Sequence, residues 1–113
     1  MPSYLGTFIL DFISTNFETD SDIANTLLSK LKVECGFDPN LEAFAILDPV
    51  HSAGWIFSKL CVAGQFVEKL YEVNSKEIEK SRGKKFSDKF VYWLSIKLKE
   101  HGCRAQIKLS TDR

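Results

Sequence analysis

The sequence is poor in the residues that build metal sites, disulfide frameworks and membrane spans. It has three Cys and two His among 113 residues, no Cys-x-x-Cys pair, and no His at a ligand spacing from a Cys. The longest uncharged runs, 1–10 and 49–58, have ten residues each, well short of the roughly 18 that suggest a membrane helix. We therefore expect no metal, no cofactor, no disulfide and no membrane partner.

The cysteines Cys35, Cys61 and Cys103 lie within or beside apolar patterns. Small buried thiols of this kind are typical of a reducing compartment, so we expect a cytoplasmic protein. Hydrophobic residues make up 44% of the chain and charged residues 27%, which is ordinary for a folded protein. The length suits one globular domain over residues 1–113.

Three segments have the patterns of strands. Residues 4–14 carry apolar side chains on both faces, which predicts a central strand covered on both sides. Residues 43–47 form a short apolar run, and residues 103–110 alternate apolar and polar side chains, as a strand with one wet face does.

Helical patterns fill much of the remainder. The first helix is predicted over 19–35, capped by Thr19 or Ser21, and another begins after Asp48-Pro49 and runs to about residue 73. Gly64 inside that second helix marks close packing or a break. Residues 74–86 are predicted to form a solvated turn of helix followed by a mobile loop, and a last helix runs from Ser87 to His101.

This order, strand–helix–strand–helix–helix–strand, predicts a mixed α+β fold. A small three-stranded sheet carries the helices, and its first strand–helix–strand unit is expected to be parallel and right-handed.

Motifs for catalysis are missing. No GxGxxG, GxxxxGK[ST], HExxH or GxSxG occurs. The remaining acid–base candidates are Asp48 and His51, with Asp11 or Cys61. A capped helical turn also explains Asp48 and His51. A position at the solvated end of a strand also explains Asp11. We therefore predict no catalytic residues and no enzyme activity.

The charge of the chain is polarised although its sum is zero. Residues 1–64 hold three Lys against eight Asp and Glu, whereas residues 65–113 hold twelve Lys and Arg against seven Asp and Glu. The basic half includes Lys76, Lys80, Arg82, Lys84, Lys85 and Lys89. Such a cluster suits contact with nucleic acid phosphates, but acidic residues are interspersed and no RNA-binding motif is present.

Two aromatic residues, Tyr92 and Trp93, lie off the predicted buried stripe Phe90–Leu94–Leu98. They are either exposed interface anchors or the second covered side of that helix. Residues 98–110 resemble the closing helix-to-strand segment of barstar-type ribonuclease inhibitors over about a dozen residues, and the resemblance assigns no functional residue.

These observations predict a small protein that binds another protein, as an inhibitor, an immunity-type protein or a regulatory adaptor. A homodimer is compatible with the charge layout. The predicted contact residues are Arg82, Lys84, Lys85, Tyr92 and Trp93, or the acidic cluster Glu18, Asp20 and Asp22. The alternative is RNA or single-stranded DNA binding through residues 76–89 and the last strand.

Overall fold

The computed structural model describes residues 6–110 and contains five strands and three helices within them. The elements are β1 (Thr7–Ser14), α1 (Phe17–Glu34), β2 (Phe44–Ile46), β3 (Val50–Ser52), β4 (Trp55–Ala63), α2 (Gly64–Lys80), α3 (Phe86–Glu100) and β5 (Gln106–Leu109). The predicted α+β class and the packing of helices on a sheet are confirmed. The predicted start of the first strand at Tyr4 lies outside the described residues.

The sheet has five strands and not three, and every pairing is antiparallel. Its order is β2-β4-β1-β5, with β3 also paired to β4. The first strand, the helix and the second strand were predicted to form a parallel unit. This prediction is wrong, because β4 lies between β1 and β2 and pairs with both of them. β2 and β3 follow one another along the same side of β4.

The predicted helix after Asp48-Pro49 is also wrong over most of its length. Val50–Ser52 and Trp55–Ala63 form a β-hairpin closed by Ala53 and Gly54, which have φ of 52° and 82°. Positive φ at both turn residues is the mark of the type I′ turn that matches the twist of paired strands. The helix begins only at Gly64, where the predicted break occurs.

All three helices pack against the same face of the sheet. Phe12 of β1 contacts Phe17 of α1, and Phe8 contacts Phe90 of α3, with ring centroids 6.1 Å and 5.7 Å apart. Phe44 of β2 contacts Phe66 of α2 at 6.4 Å. The hydrophobic core therefore lies in one layer between this face and the helices.

The helices differ from their predicted bounds for identifiable reasons. The side chain of Asn16, and neither Thr19 nor Ser21, caps α1 by accepting a hydrogen bond from the backbone N–H of Thr19. α2 continues past a kink at Asn74 and ends at Lys80, so the predicted loop over 74–86 is confined to the residues between α2 and α3. Ile78 is fully buried and holds the last turns of α2 against the core.

The opposite face of the sheet has no helix of the described residues packed against it. Along β1, Phe8, Leu10, Phe12 and Ser14 are buried, while Ile9 is exposed and Asp11 and Ile13 are half-buried. The prediction that both faces of this strand are covered is therefore wrong. The apolar residues of its second face are left at a surface.

Candidate functional site

The uncovered face is the side of the sheet away from the helices, and the strand registers place its residues in rows. Ile9 lies opposite Cys61, Asp11 opposite Lys59, and Ile13 opposite Phe57 on the central strands β1 and β4. The outer strands extend these rows with the residues Ala45, Leu47, Val50, Gln106 and Lys108. The face is therefore a regular grid of side chains about four strands wide.

Much of this grid is apolar. Five of the nine exposed large hydrophobic side chains among the described residues lie on it, with exposed fractions from 42% to 66%: Ile9, Leu47, Val50, Trp55 and Phe57. Exposed apolar side chains are ordinary when scattered singly, whereas a contiguous group usually marks an interaction surface.

A charged row crosses the middle of the face. Reading from β5 to the other side of the sheet, it contains Lys108, Asp11, Lys59 and then Leu47, and the exposed Asp48 follows Leu47 in the β2–β3 connection. Lys59 Nζ forms an ion pair with Asp11 Oδ1 and donates a second hydrogen bond to Ser110 Oγ at 2.9 Å. This ion pair neutralises the two central charges within the chain.

A shallow concavity of about 370 Å³ lies on this face, between the charged row and the apolar residues Ile13, Val50 and Phe57. Its lining comes from strands of one sheet and from the β2–β3 connection. A small ligand would therefore be covered from one side only, whereas small-molecule sites bury most of their ligand.

Four of the predicted contact residues lie on a different surface, beside the loop between α2 and α3. The guanidinium of Arg82 stacks over the ring of Tyr92 at 6.0 Å from its centroid, and Tyr92 is 37% exposed. Both residues border a groove of about 350 Å³ between α3 and β5, and Lys84 and Lys85 are exposed in the same loop. All four side chains are exposed, and their role in binding stays a prediction.

Trp93 is not an exposed anchor, because it is 3% exposed within the core. Its indole N–H donates a hydrogen bond of 3.0 Å to Glu77 on α2, and Lys97 lies 3.4 Å from the same Glu77 oxygen. The bond from Trp93 and the charge of Lys97 lower the pKa of Glu77 below its usual value. The alternative of a helix covered on two sides therefore holds for this residue.

The predicted acidic cluster is divided by the structure. Glu18 and Asp22 are exposed on α1, but Asp20 is 3% exposed. Its carboxylate accepts hydrogen bonds from Ser14 Oγ at 2.6 Å and from the backbone N–H of Arg104 at 3.0 Å. Asp20 therefore joins α1 to β1 and to the start of the last strand, and its expected exposure is wrong.

The acid–base candidates do not form one group. Asp11 and Asp48 both line the concavity of the uncovered face. His51 pairs with Ile56 on β4, which places it on the opposite face of the hairpin from Val50. Cys61 lies in the same row as Ile9, next to the row that contains Asp11. Over residues 6–110, no group of three His, Cys, Asp or Glu is arranged to hold a metal ion.

The thiols are reduced, and two of them have altered acidity. Burial raises the pKa of both the Cys35 and the Cys103 thiols above the usual value. Cys103 is deeply buried and donates a weak hydrogen bond to the backbone oxygen of Asp20 at 3.7 Å. These thiols are therefore kept protonated, as expected of structural cysteines.

Comparison with known proteins adds no relative: no family model, no curated protein and no solved structure matches the chain. The resemblance of residues 98–110 to barstar-type inhibitors is thus limited to that segment. None of the helices in residues 6–110 has the length and apolar character needed to cross a membrane.

Proposed function

We propose that this protein acts by binding another protein molecule through the uncovered face. The observation that carries the proposal is the difference between the two sides of one sheet. All three helices cover one side, while the other keeps five exposed large apolar side chains around a central charged row. Removing such apolar surface from water favours association.

The mixture of residues favours a protein partner. Aromatic and aliphatic side chains at the centre of a patch, with charges among them, are typical of protein interfaces. An inhibitor, an immunity-type protein or a regulatory adaptor remains our expectation for the biological role. The three free thiols support the further expectation of a cytoplasmic location.

Nucleic acid binding has less support. Three lysines of the basic half are engaged with glutamates, Lys69 with Glu72 at 3.7 Å, Lys89 with Glu79 at 3.8 Å and Lys97 with Glu77 at 3.4 Å. The uncovered face carries charges of both signs, which does not favour a polyanion. A salt series distinguishes the two proposals, because RNA or single-stranded DNA affinity falls steeply as salt rises.

The test is site-specific photo-cross-linking in the cells that make the protein. The photoreactive residue p-benzoylphenylalanine replaces Phe57 on the uncovered face and, as a matched control, Val73, which is exposed on α2. We expect a discrete protein adduct from position 57 that disappears when Ile13→Asp is added. No adduct at position 57, or equal adducts at both positions, would contradict the proposal.

A further inference from the structure

The geometry points to a second copy of this chain as the partner on the uncovered face, with the two sheets packed face to face about a two-fold axis. This inference rests on the proposed function and names its partner. It is carried by the order of charges across the sheet, by the positions of the apolar rows beside them, and by the size of the face.

The charged row is complementary to itself. From β5 across the sheet, its charged members are Lys108, Asp11 and Lys59, and Leu47, with Asp48 directly after it, takes the fourth position. A two-fold axis along the strand direction, between β1 and β4, exchanges the two halves of the row. Asp11 then faces Lys59 of the second copy, and Lys108 faces Leu47 of the second copy, beside its Asp48. Opposite charges meet at the two central positions and lie next to each other at the two ends, which favours this register of association.

The same axis brings apolar residues together. It places Ile13 of one copy over Phe57 of the other, and Ile9 over Cys61. Val50 faces Gln106, so the polar end of that row lies at the rim. Two sheets packed in this way keep their strands within about 30° of each other and are separated by about 10 Å.

The other in-plane axis is disfavoured by the same row. A two-fold axis perpendicular to the strands would place each strand opposite the same strand of the second copy. Lys108 would then face Lys108 of the second copy, and Asp11 would face Asp11. Like charges opposed across a closed interface weaken association, so the row selects one of the two symmetric arrangements.

The size of the face matches a dimer of modest affinity. The 27 residues of the five strands, at about 4.8 Å between strands and about 3.4 Å rise, give a footprint of roughly 440 Å². Side chains raise the accessible area above that value, and the lower end of stable interfaces is about 600 Å² per partner. We therefore expect a reversible dimer that dissociates on dilution.

The test is sedimentation equilibrium of the full chain over a concentration series, with charge reversals at Lys108 and at Asp48. Lys108 and Asp48 are both exposed, so their replacement leaves the core unchanged. We expect a mass of twice 12.9 kDa for the wild type. Lys108→Asp and Asp48→Lys should each weaken dimerisation at least tenfold, and the double variant should recover most of the loss.

The matched control reverses Lys84→Asp and Glu18→Lys, two exposed charges away from the face, and should leave the dissociation constant unchanged. Ile13→Asp should give monomers with an intact far-UV spectrum. A wild type that stays monomeric at millimolar concentration, or a double variant as weak as the sum of its single changes, would overturn the inference. If position 57 still cross-links to a different protein, the proposed function stands while the second copy is excluded; if it cross-links to nothing, both fail.

Discussion

The two faces of the sheet are built from the same strands and have opposite environments. On β1, Leu10 and Phe12 are fully buried under the helices, while Ile9 and Ile13 point to the uncovered face. On β4, Leu60 is buried and Phe57 is exposed. Apolar residues on both faces of a strand therefore do not show that both faces are covered within the chain.

The largest expected contrast is between Phe12 and its neighbour Ile13. Phe12→Ala removes a fully buried ring from the core and should lower the free energy of unfolding by about 3–5 kcal/mol. Ile13→Ala should cost the isolated monomer less than about 1.5 kcal/mol, since part of its surface is already solvated. Urea denaturation at a concentration where the chain is monomeric measures both values. Equal losses would show that the second face is covered within the chain.

A second contrast compares the buried Asp20 of α1 with the exposed Asp22 on the same helix. Asp20→Ala leaves Ser14 Oγ and the backbone N–H of Arg104 without their acceptor. Each unpaired buried group costs about 1–3 kcal/mol, so we expect a loss of about 2–4 kcal/mol. Asp22→Ala should change stability by no more than about 0.5 kcal/mol. A small effect at Asp20 would mean that water replaces its two bonds.

The charged pair of the uncovered face should contribute much less to the stability of the monomer. The side chains of Lys59 and Asp11 are 30% and 20% exposed, so Lys59→Met should cost about 1 kcal/mol or less. The more exposed pair Lys69–Glu72 serves as the control, and Lys69→Met should have almost no effect. Denaturation midpoints of the two variants in dilute solution give the comparison. A loss above about 2 kcal/mol at Lys59 would place this pair among the buried ones.

The smallest effect concerns Cys103 at alkaline pH. Burial raises the pKa of its thiol in the folded state above the usual value. Above the pKa of the unfolded chain, the unfolded state holds fewer protons, so stability falls as pH rises through the folded-state pKa. Cys103→Ala should therefore give a shallower decline of stability between pH 8 and 10 than the wild type. Equal slopes in urea titrations would show that the thiol ionises equally in both states.

The strands with clear alternation could be predicted from the sequence. Residues 103–110 keep their predicted alternation of burial, with Cys103 and Ala105 buried and Arg104 and Lys108 exposed, although the strand forms only over Gln106–Leu109. The hairpin over 50–63 could not be predicted from the sequence, because Ile56, Leu60 and Ala63 fit a helical spacing that continues through Val67 in α2. Alternation over 55–63 fits equally well. The two-residue turn at Ala53-Gly54 is the only local signal that separates the two, and Ala is a weak indicator of positive φ.

The uncovered face was missed because strand patterns do not record how many layers the fold has. A central strand under two helical layers has the same two-sided apolar pattern as a strand with one face at an interface. The signal that was available is the placement of charge, since Asp11 and Lys59 interrupt the second face of two otherwise apolar strands. The burial of Trp93 and Asp20 depended on partners far along the chain, which spacing alone does not reveal.

The position of β5 beside β1 also determines when the edge of β1 is covered during synthesis. Gln106 pairs with Ile13, and Leu109 with Leu10, across more than ninety residues of sequence. While the ribosome is still translating α3, β1 has one open hydrogen-bonding edge that a neighbouring nascent chain can occupy. β5, the last of the described strands to emerge, is thus the one that closes this edge, and slowing translation just before it would prolong the interval in which the chain is prone to aggregate.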